Sequence, residues 1–207
     1  MYHPDPTYLY FLLQNDGDVE IAFVQAITSG NVDLFSNLID KYTGNAKLLD
    51  IAVQNNQIEI VKLLLDRGLQ SDSAIQLAIK DNKIECLKLL LEGKGEVKIQ
   101  LEALENAIAQ KNNIMVQMLV NRGYTHPSAL SLAIKSHSMS IFVFFFENGF
   151  YDEGAFMSAI ENNEPMMFKL IADRDGISPK DLELLKKRSI ELRCTEILSY
   201  LLQSRSY

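Results

Sequence analysis

No apolar run in this 207-residue chain approaches the roughly 18 residues that a membrane-spanning helix needs. The opening stretch, MYHPDPTYLYFLLQND, has no basic region ahead of its short apolar part. Neither a membrane span nor a secretory signal of the usual form is therefore expected. Cysteine is scarce. Cys86 and Cys194 are the only two, and they fit no zinc or CxxC spacing. That usage points to a reducing, intracellular setting such as the cytoplasm. An excess of basic side chains is missing as well: 20 Lys and Arg stand against 27 Asp and Glu, for a formal charge of -7. Phosphates are held mainly by basic groups, so neither nucleic acid nor an anionic membrane surface is an expected partner.

Groups able to carry chemistry are few. His3 lies near the start, His126 precedes a proline expected to open a helix, and His137 falls where the chain is expected to turn. None has a second His, Cys or carboxylate at metal-ligand spacing. The stretch GKGEVK, Gly93 to Lys98, lacks the spacing of a phosphate-cradling loop and reads as an enlarged connection. DRDG, from Asp173, and NDGD, from Asn15, resemble pieces of calcium loops without the full ligand set, and read as helix ends. No catalytic motif can be placed, so the sequence implies no catalytic residue, cofactor or metal.

What the chain does contain is itself, repeated. AVQNNQIEIVKLLLDRG from Ala52 is followed by AIKDNKIECLKLLLEGK from Ala78. The same frame begins at Ala26, Ala52, Ala78, Ala107, Ala133, Ala159 and Ser189, at intervals of 26, 26, 29, 26, 26 and 30 residues. Each copy has Ala or Ser at position 1, Ile or Val at position 2 and apolar residues at positions 9 and 10, a helical periodicity. A first helix is expected to begin about five residues before position 1 and to break at positions 4 to 6, where Gly30, Asn56 and Asn163 stand. A second then runs to a terminal glycine, as at Gly68, Gly123 and Gly149. One such hairpin cannot bury its own apolar faces, so the copies must stack. The expectation is an all-α, helical-hairpin repeat solenoid spanning residues 18–207, preceded by a tail and half-repeat cap over residues 1–17 that includes LYFLLQNDG.

The frame resembles a degenerate, shortened ankyrin repeat. AITSGNVDLFSNLI, from Ala26, follows that family's A-A-x-x-G-H-x-x-V-V-x-x-L-L core, and DRG or NRG stands where the family ends its second helix. The T-P-L-H tetrapeptide is absent, and the period is some seven residues short of the usual unit. The missing residues are those of the projecting β-hairpin, so an ankyrin-like stack without such hairpins is expected. The resemblance implies a protein-binding module that is not an enzyme, working as a monomer on its own. Similar arrays occur in effectors of intracellular bacteria and large DNA viruses that act on host proteins inside the host cell.

By the same resemblance the partner would lie on the concave face, at frame positions 3 and 4. These are Gln54, Asn55, Lys80, Asp81, Gln110, Lys135, Ser136, Glu161 and Asn162, with Ala109 the one apolar member. A competing surface comes from positions 8 and 11, which share a helical face and turn apolar at Ile114, Val143 and Met166. Two other roles stay open: assembly of like solenoids through their ends, and an enzyme whose site follows no motif. Charge is uneven along the chain: residues 180–207 carry a net +2 and residues 1–45 a net -5, a polarity that suits head-to-tail contacts.

Overall fold

A computed structural model describes residues 19–41, 45–92 and 101–203. The half-repeat cap, His3, NDGD and GKGEVK lie outside the described residues. Among those described there are fourteen helices and no strand. They alternate as first and second arms of seven hairpins: α1 (Val19–Ser29) with α2 (Val32–Lys41), α3 (Ala46–Gln54) with α4 (Ile58–Asp66), and α5 (Asp72–Lys80) with α6 (Ile84–Glu92). Then come α7 (Leu101–Ala109) with α8 (Asn113–Asn121), α9 (Ala129–Lys135) with α10 (Met139–Glu147), α11 (Ala155–Glu161) with α12 (Pro165–Asp175), and α13 (Pro179–Glu191) with α14 (Thr195–Gln203).

The chain divides into two compact units between Ala103 and Leu104, within α7. In the first unit the first arms α1, α3 and α5 pack side by side in one layer, and α2, α4 and α6 form a second. In the second unit α9, α11 and α13 pack in sequence as first arms, while α8 lies on α10 and α12 on α14.

The turn between arms has one solution in all seven copies. The residue at frame position 5 takes a left-handed conformation each time: Gly30 (φ 68°), Asn56 and Asn82 (55°), Lys111 (55°), His137 (53°), Asn163 (52°) and Arg193 (58°). The N–H of position 6 donates to the carbonyl of position 1, as from Lys83 to Ala78 (2.7 Å) and Glu164 to Ala159 (2.8 Å). The N–H of position 5 donates to position 2, as from Asn56 to Val53 (3.0 Å). This six-to-one, five-to-two pair is the Schellman termination, which satisfies carbonyls that a helix end leaves open. The second arms close likewise at Gly68, Gly123 and Gly149, and the next N–H, from Leu69, Tyr124 or Phe150, completes the motif.

Because the turn falls at a fixed residue, the same positions reach the interior in every copy. Position 1 is fully buried throughout, from Ala26 to Ser189. Position 13 is at most 4 % exposed, from Leu38 through Phe145 to Leu201. Burying each such aliphatic or aromatic side chain contributes about 1.5–3 kcal/mol, which holds together hairpins too short to be stable alone. Position 2 departs at one place: Ile190 is 62 % exposed, whereas its six equivalents are at most 1 % exposed. No described helix follows α14 to cover it.

First arms vary more than the repeat implies. α9 and α11 have only seven residues, each preceded by a turn, so Pro127 lies in that turn and the helix opens at Ala129. Asp152 holds the second of these turns by accepting the N–H groups of Gly154 (2.9 Å) and Ser131 (2.8 Å). α13 has thirteen residues, begun by Pro179 at its first turn behind the Ser178 cap, and this extra length accounts for the 30-residue interval.

Two stability measurements check this account. A side chain with a Cβ in the left-handed region costs roughly 1–2 kcal/mol relative to glycine, so Lys111→Gly and Arg193→Gly should each raise stability in urea melts by about 1 kcal/mol. Ala78→Leu should lower it by about 1–3 kcal/mol through overpacking, while Gln54→Ala, at an exposed helix end, stays within about 0.5 kcal/mol.

Candidate protein-binding surface

Frame positions 3 and 4 close each first arm, immediately before the left-handed residue. Gln54, Asn55, Lys80, Asp81, Gln110, Lys135 and Glu161 are exposed, and Ser136 and Asn162 half-buried. The two positions behave differently. At position 4 the Asn55 amide donates to the carbonyl of Ile51 (2.9 Å), Asn162 donates to Ser158 (2.8 Å) and the Ser136 hydroxyl donates to Ala133 (2.8 Å). These side chains therefore finish their own helices. Position 3, with Gln54, Lys80, Lys135 and Glu161, carries the variation in size and charge; Glu161 is tied to Arg188 of the following copy at 3.1 Å. The candidate residues of the first unit form one run along α3 and α5, and those from Gln110 onward lie in the second unit.

The alternative apolar stripe is only partly open. Ile114 is 52 % and Met166 60 % exposed, but Val143 is half-buried on α10, where the neighbouring Met139 emerges instead. The two histidines described have structural partners. The His126 Nδ1 accepts the N–H of Ser128 (3.0 Å), and its Nε2 lies 2.9 Å from the Glu105 carboxylate. His137 occupies a left-handed turn position with Nδ1 2.6 Å from Glu164. Asp173 and Asp175 belong to the end of α12, closed by Gly176, as a helix end requires. Among the described residues no cluster of three metal-ligating side chains occurs, and no helix is long and apolar enough to cross a membrane.

A set of links between copies escaped the sequence reading. The residue two before position 1 repeatedly meets the residue seven before position 1 of the next copy. Asp50 accepts from Ser71 (2.5 Å), Glu105 faces His126 (2.9 Å), and the N–H of Ser131 donates to Asp152 (2.8 Å). A second link uses the arginine at frame position 16. Arg67 donates to the carbonyl of Ile39 (2.8 Å) and Arg174 to that of Phe146 (3.0 Å), the same position one copy back. Arg174 also lies 4.2 Å above the Phe146 ring centre. The chemistry of the first link changes at each junction while its geometry persists. Residue types alone could not reveal it; the constant spacing of 21 residues was the available signal.

Comparison with known proteins bears on these observations. Residues 49–126 match the family described as ankyrin repeats (3 copies). Over that stretch the chain is similar to ankyrin repeats. The match covers the copies beginning at Ala52, Ala78 and Ala107, and the same left-handed turn recurs in the four copies outside it. A solved structure titled EF0377, an ankyrin repeat protein, shares the fold at 23 % identity and a TM-score of 0.58, over 73 % of this chain and 96 % of that one. The ankyrin repeat domain of Bcl-3, described as a unique member of the IkappaB protein family, aligns over 90 % of this chain and 86 % of that one, at 17 % identity and a TM-score of 0.39. No curated protein matches the chain in sequence. Ankyrin repeats are in general protein–protein interaction modules.

Cys86 and Cys194 are free, buried thiols. Burial pushes both up from the ordinary thiol range; Lys83 pulls Cys86 back down and Glu85 adds to the rise. Both should titrate as reduced thiols that react with a disulfide reagent at neutral pH only on unfolding. Raised folded values also fix a sign. Their contribution to stability is complete below the unfolded thiol pKa of about 8.5 and is lost as pH rises above it. Replacing both by Ala should therefore flatten the fall in stability above that pH.

Proposed function

We propose that this chain binds a protein partner across the exposed ends of its first arms, the face that corresponds to the concave side of the ankyrin array it resembles. One observation carries the reading. In each copy positions 1 and 2 are buried, Ile190 excepted, and have nearly the same residues, whereas position 3 remains outside and changes from Gln54 to Lys80, Lys135 and Glu161. Buried positions are held by packing; exposed ones on a regular lattice are free to match a ligand that spans several copies. The contact residues of the proposal are Gln54, Lys80, Lys135 and Glu161, supported from position 4 by Asn55, Asp81, Gln110, Ser136 and Asn162. The domain unit proposed for this work is the repeat array of residues 18–207. It acts by binding and not by catalysis, and an effector role on a host protein is the setting that the resemblance suggests for it.

Assembly through the end of the array is the second reading, and Ile190 favours it. Leu202 on the same hairpin is 67 % exposed as well, and the position of Ile190 is buried between copies elsewhere.

The test is binding to a partner captured from a eukaryotic lysate, with melting temperature measured in parallel. Gln54→Arg, Lys80→Glu and Glu161→Arg together should weaken binding at least about tenfold, since contact residues that matter cost more than about 1 kcal/mol each, and melting should be little changed. Ile114→Ser with Met166→Ser should leave binding intact. The reverse pattern rejects the first-arm face in favour of the stripe, and loss of self-association on Ile190→Ser would mark end-to-end assembly.

A further inference from the structure

The second unit has a groove on its first-arm side that the periodic positions do not describe. It consists of two adjoining hollows of about 600 Å³ and 480 Å³, both lined by Tyr151, Asp152, Glu153 and Met157. The larger reaches across α9 and α11 to Lys135, and the smaller reaches to Asp181 and Leu184 on α13. Tyr151 stands between them 66 % exposed, and Leu184 is 54 % exposed. Aromatic and aliphatic side chains this open on a concave surface are suited to covering an apolar ligand.

The charge lining the groove is one-sided. Two of its carboxylates are already matched, Asp175 by Arg174 and Glu161 by Arg188. The three others, Asp152, Glu153 and Asp181, have no ion-pair partner among the described residues. Asp152 accepts only backbone N–H groups; the Asp181 carboxylate accepts the Ser178 hydroxyl, while its backbone N–H donates to the Ser178 Oγ. Against them stands Lys135, at the far edge.

An independent feature lies at the floor. Ser131 is only 5 % exposed and lines the larger hollow, yet its hydroxyl has no hydrogen-bond partner. Buried hydroxyls are ordinarily paired, and this one, its oxygen closed off from solvent, is left without a partner beside the groove. Gly154 leaves the space beside it: a Cβ there would come 3.1 Å from the Ser131 Oγ and 3.3 Å from the Asp152 Oδ1.

We infer that this groove takes an extended segment of a partner protein in which Arg or Lys stands beside aliphatic residues. The cation lies over the face of Tyr151 and pairs with Glu153, and the aliphatic neighbours cover Met157 and Leu184. A cation over an aromatic ring gains from the ring's negative face, and unmatched carboxylates beside it exclude acidic sequences. The inference rests on the protein-binding reading and gives it a partner chemistry and residues that it did not include.

The test is selection from a randomised library of displayed 12-residue peptides on the intact chain, with the Tyr151→Ala/Glu153→Lys double variant as counter-target. Both positions are exposed, so melting should not change. Selected peptides should be enriched in Arg or Lys next to Leu, Ile or Val. For a representative peptide the double variant should raise Kd at least about tenfold, the sum of an exposed cation–π contact and a reversed charge pair, and added salt should weaken binding further. Enrichment of acidic peptides, no enrichment, or affinity unchanged in the double variant overturns the inference. Peptides lost instead on Gln54→Arg/Lys80→Glu/Glu161→Arg, and indifferent to Tyr151 and Glu153, reject the basic segment while leaving the first-arm surface standing.

Discussion

The turn at frame position 5 is the constraint on which the rest of each unit depends. A helix of seven to thirteen residues has too few internal hydrogen bonds to persist alone, so these arms survive only if they end where packing needs them to. A left-handed residue at one fixed place, with its paired N–H groups closing onto positions 1 and 2, sets that end to the residue. A slip of one position would rotate the following helix by about 100° and carry its apolar side off the core. Glycine is the least strained occupant, yet only Gly30 uses it; three copies use Asn and three use Lys, His or Arg. Copies with a bulky residue there must be held by their neighbours, since the local preference opposes the turn.

From that turn follows the division of labour between positions. Position 1 must be small because first arms pack against one another there, and it is Ala six times and Ser once. Ser189 shows how a polar residue is accommodated: its hydroxyl donates to the carbonyl of Leu185 at 2.8 Å, so nothing polar is left open in a fully buried place. Large apolar side chains at positions 10 and 13 then fill the space between copies, with Phe35, Phe142, Phe145 and Phe168 the bulkiest. In the second unit Phe145 and Phe150 meet at 62° with ring centres 4.9 Å apart. That geometry sets positive ring edges against negative faces.

Periodicity made the helical class, the seven copies and the buried set readable before any coordinates, because each rests on packing that recurs. Arm lengths were less readable. Pro127 looked like a helix opener by its chemistry, but the chain uses it in the turn before α9; a proline's fixed φ suits either place. The candidate surface was readable only as a lattice of exposed positions. Whether Asn55 or Asn162 faces a partner or its own helix depends on a side-chain rotation, and both turn back to cap their carbonyls. Val143 likewise shares the helical phase of an exposed stripe and is half-buried all the same.

What the repeat could not announce is what differs between its copies. The groove beside Tyr151 lies where α9 and α11 are shortened to seven residues and the chain before each is a turn. Asp152 holds one of those turns by accepting two backbone N–H groups, and the same carboxylate then lies in the groove without a cation. A structural role thus leaves a charge at the surface, and the copies without this shortened arm gain no such hollow from it. In a stack whose interior positions are nearly interchangeable, specificity has to arise at departures from the pattern, because a ligand that read only the shared positions could not tell one copy from the next.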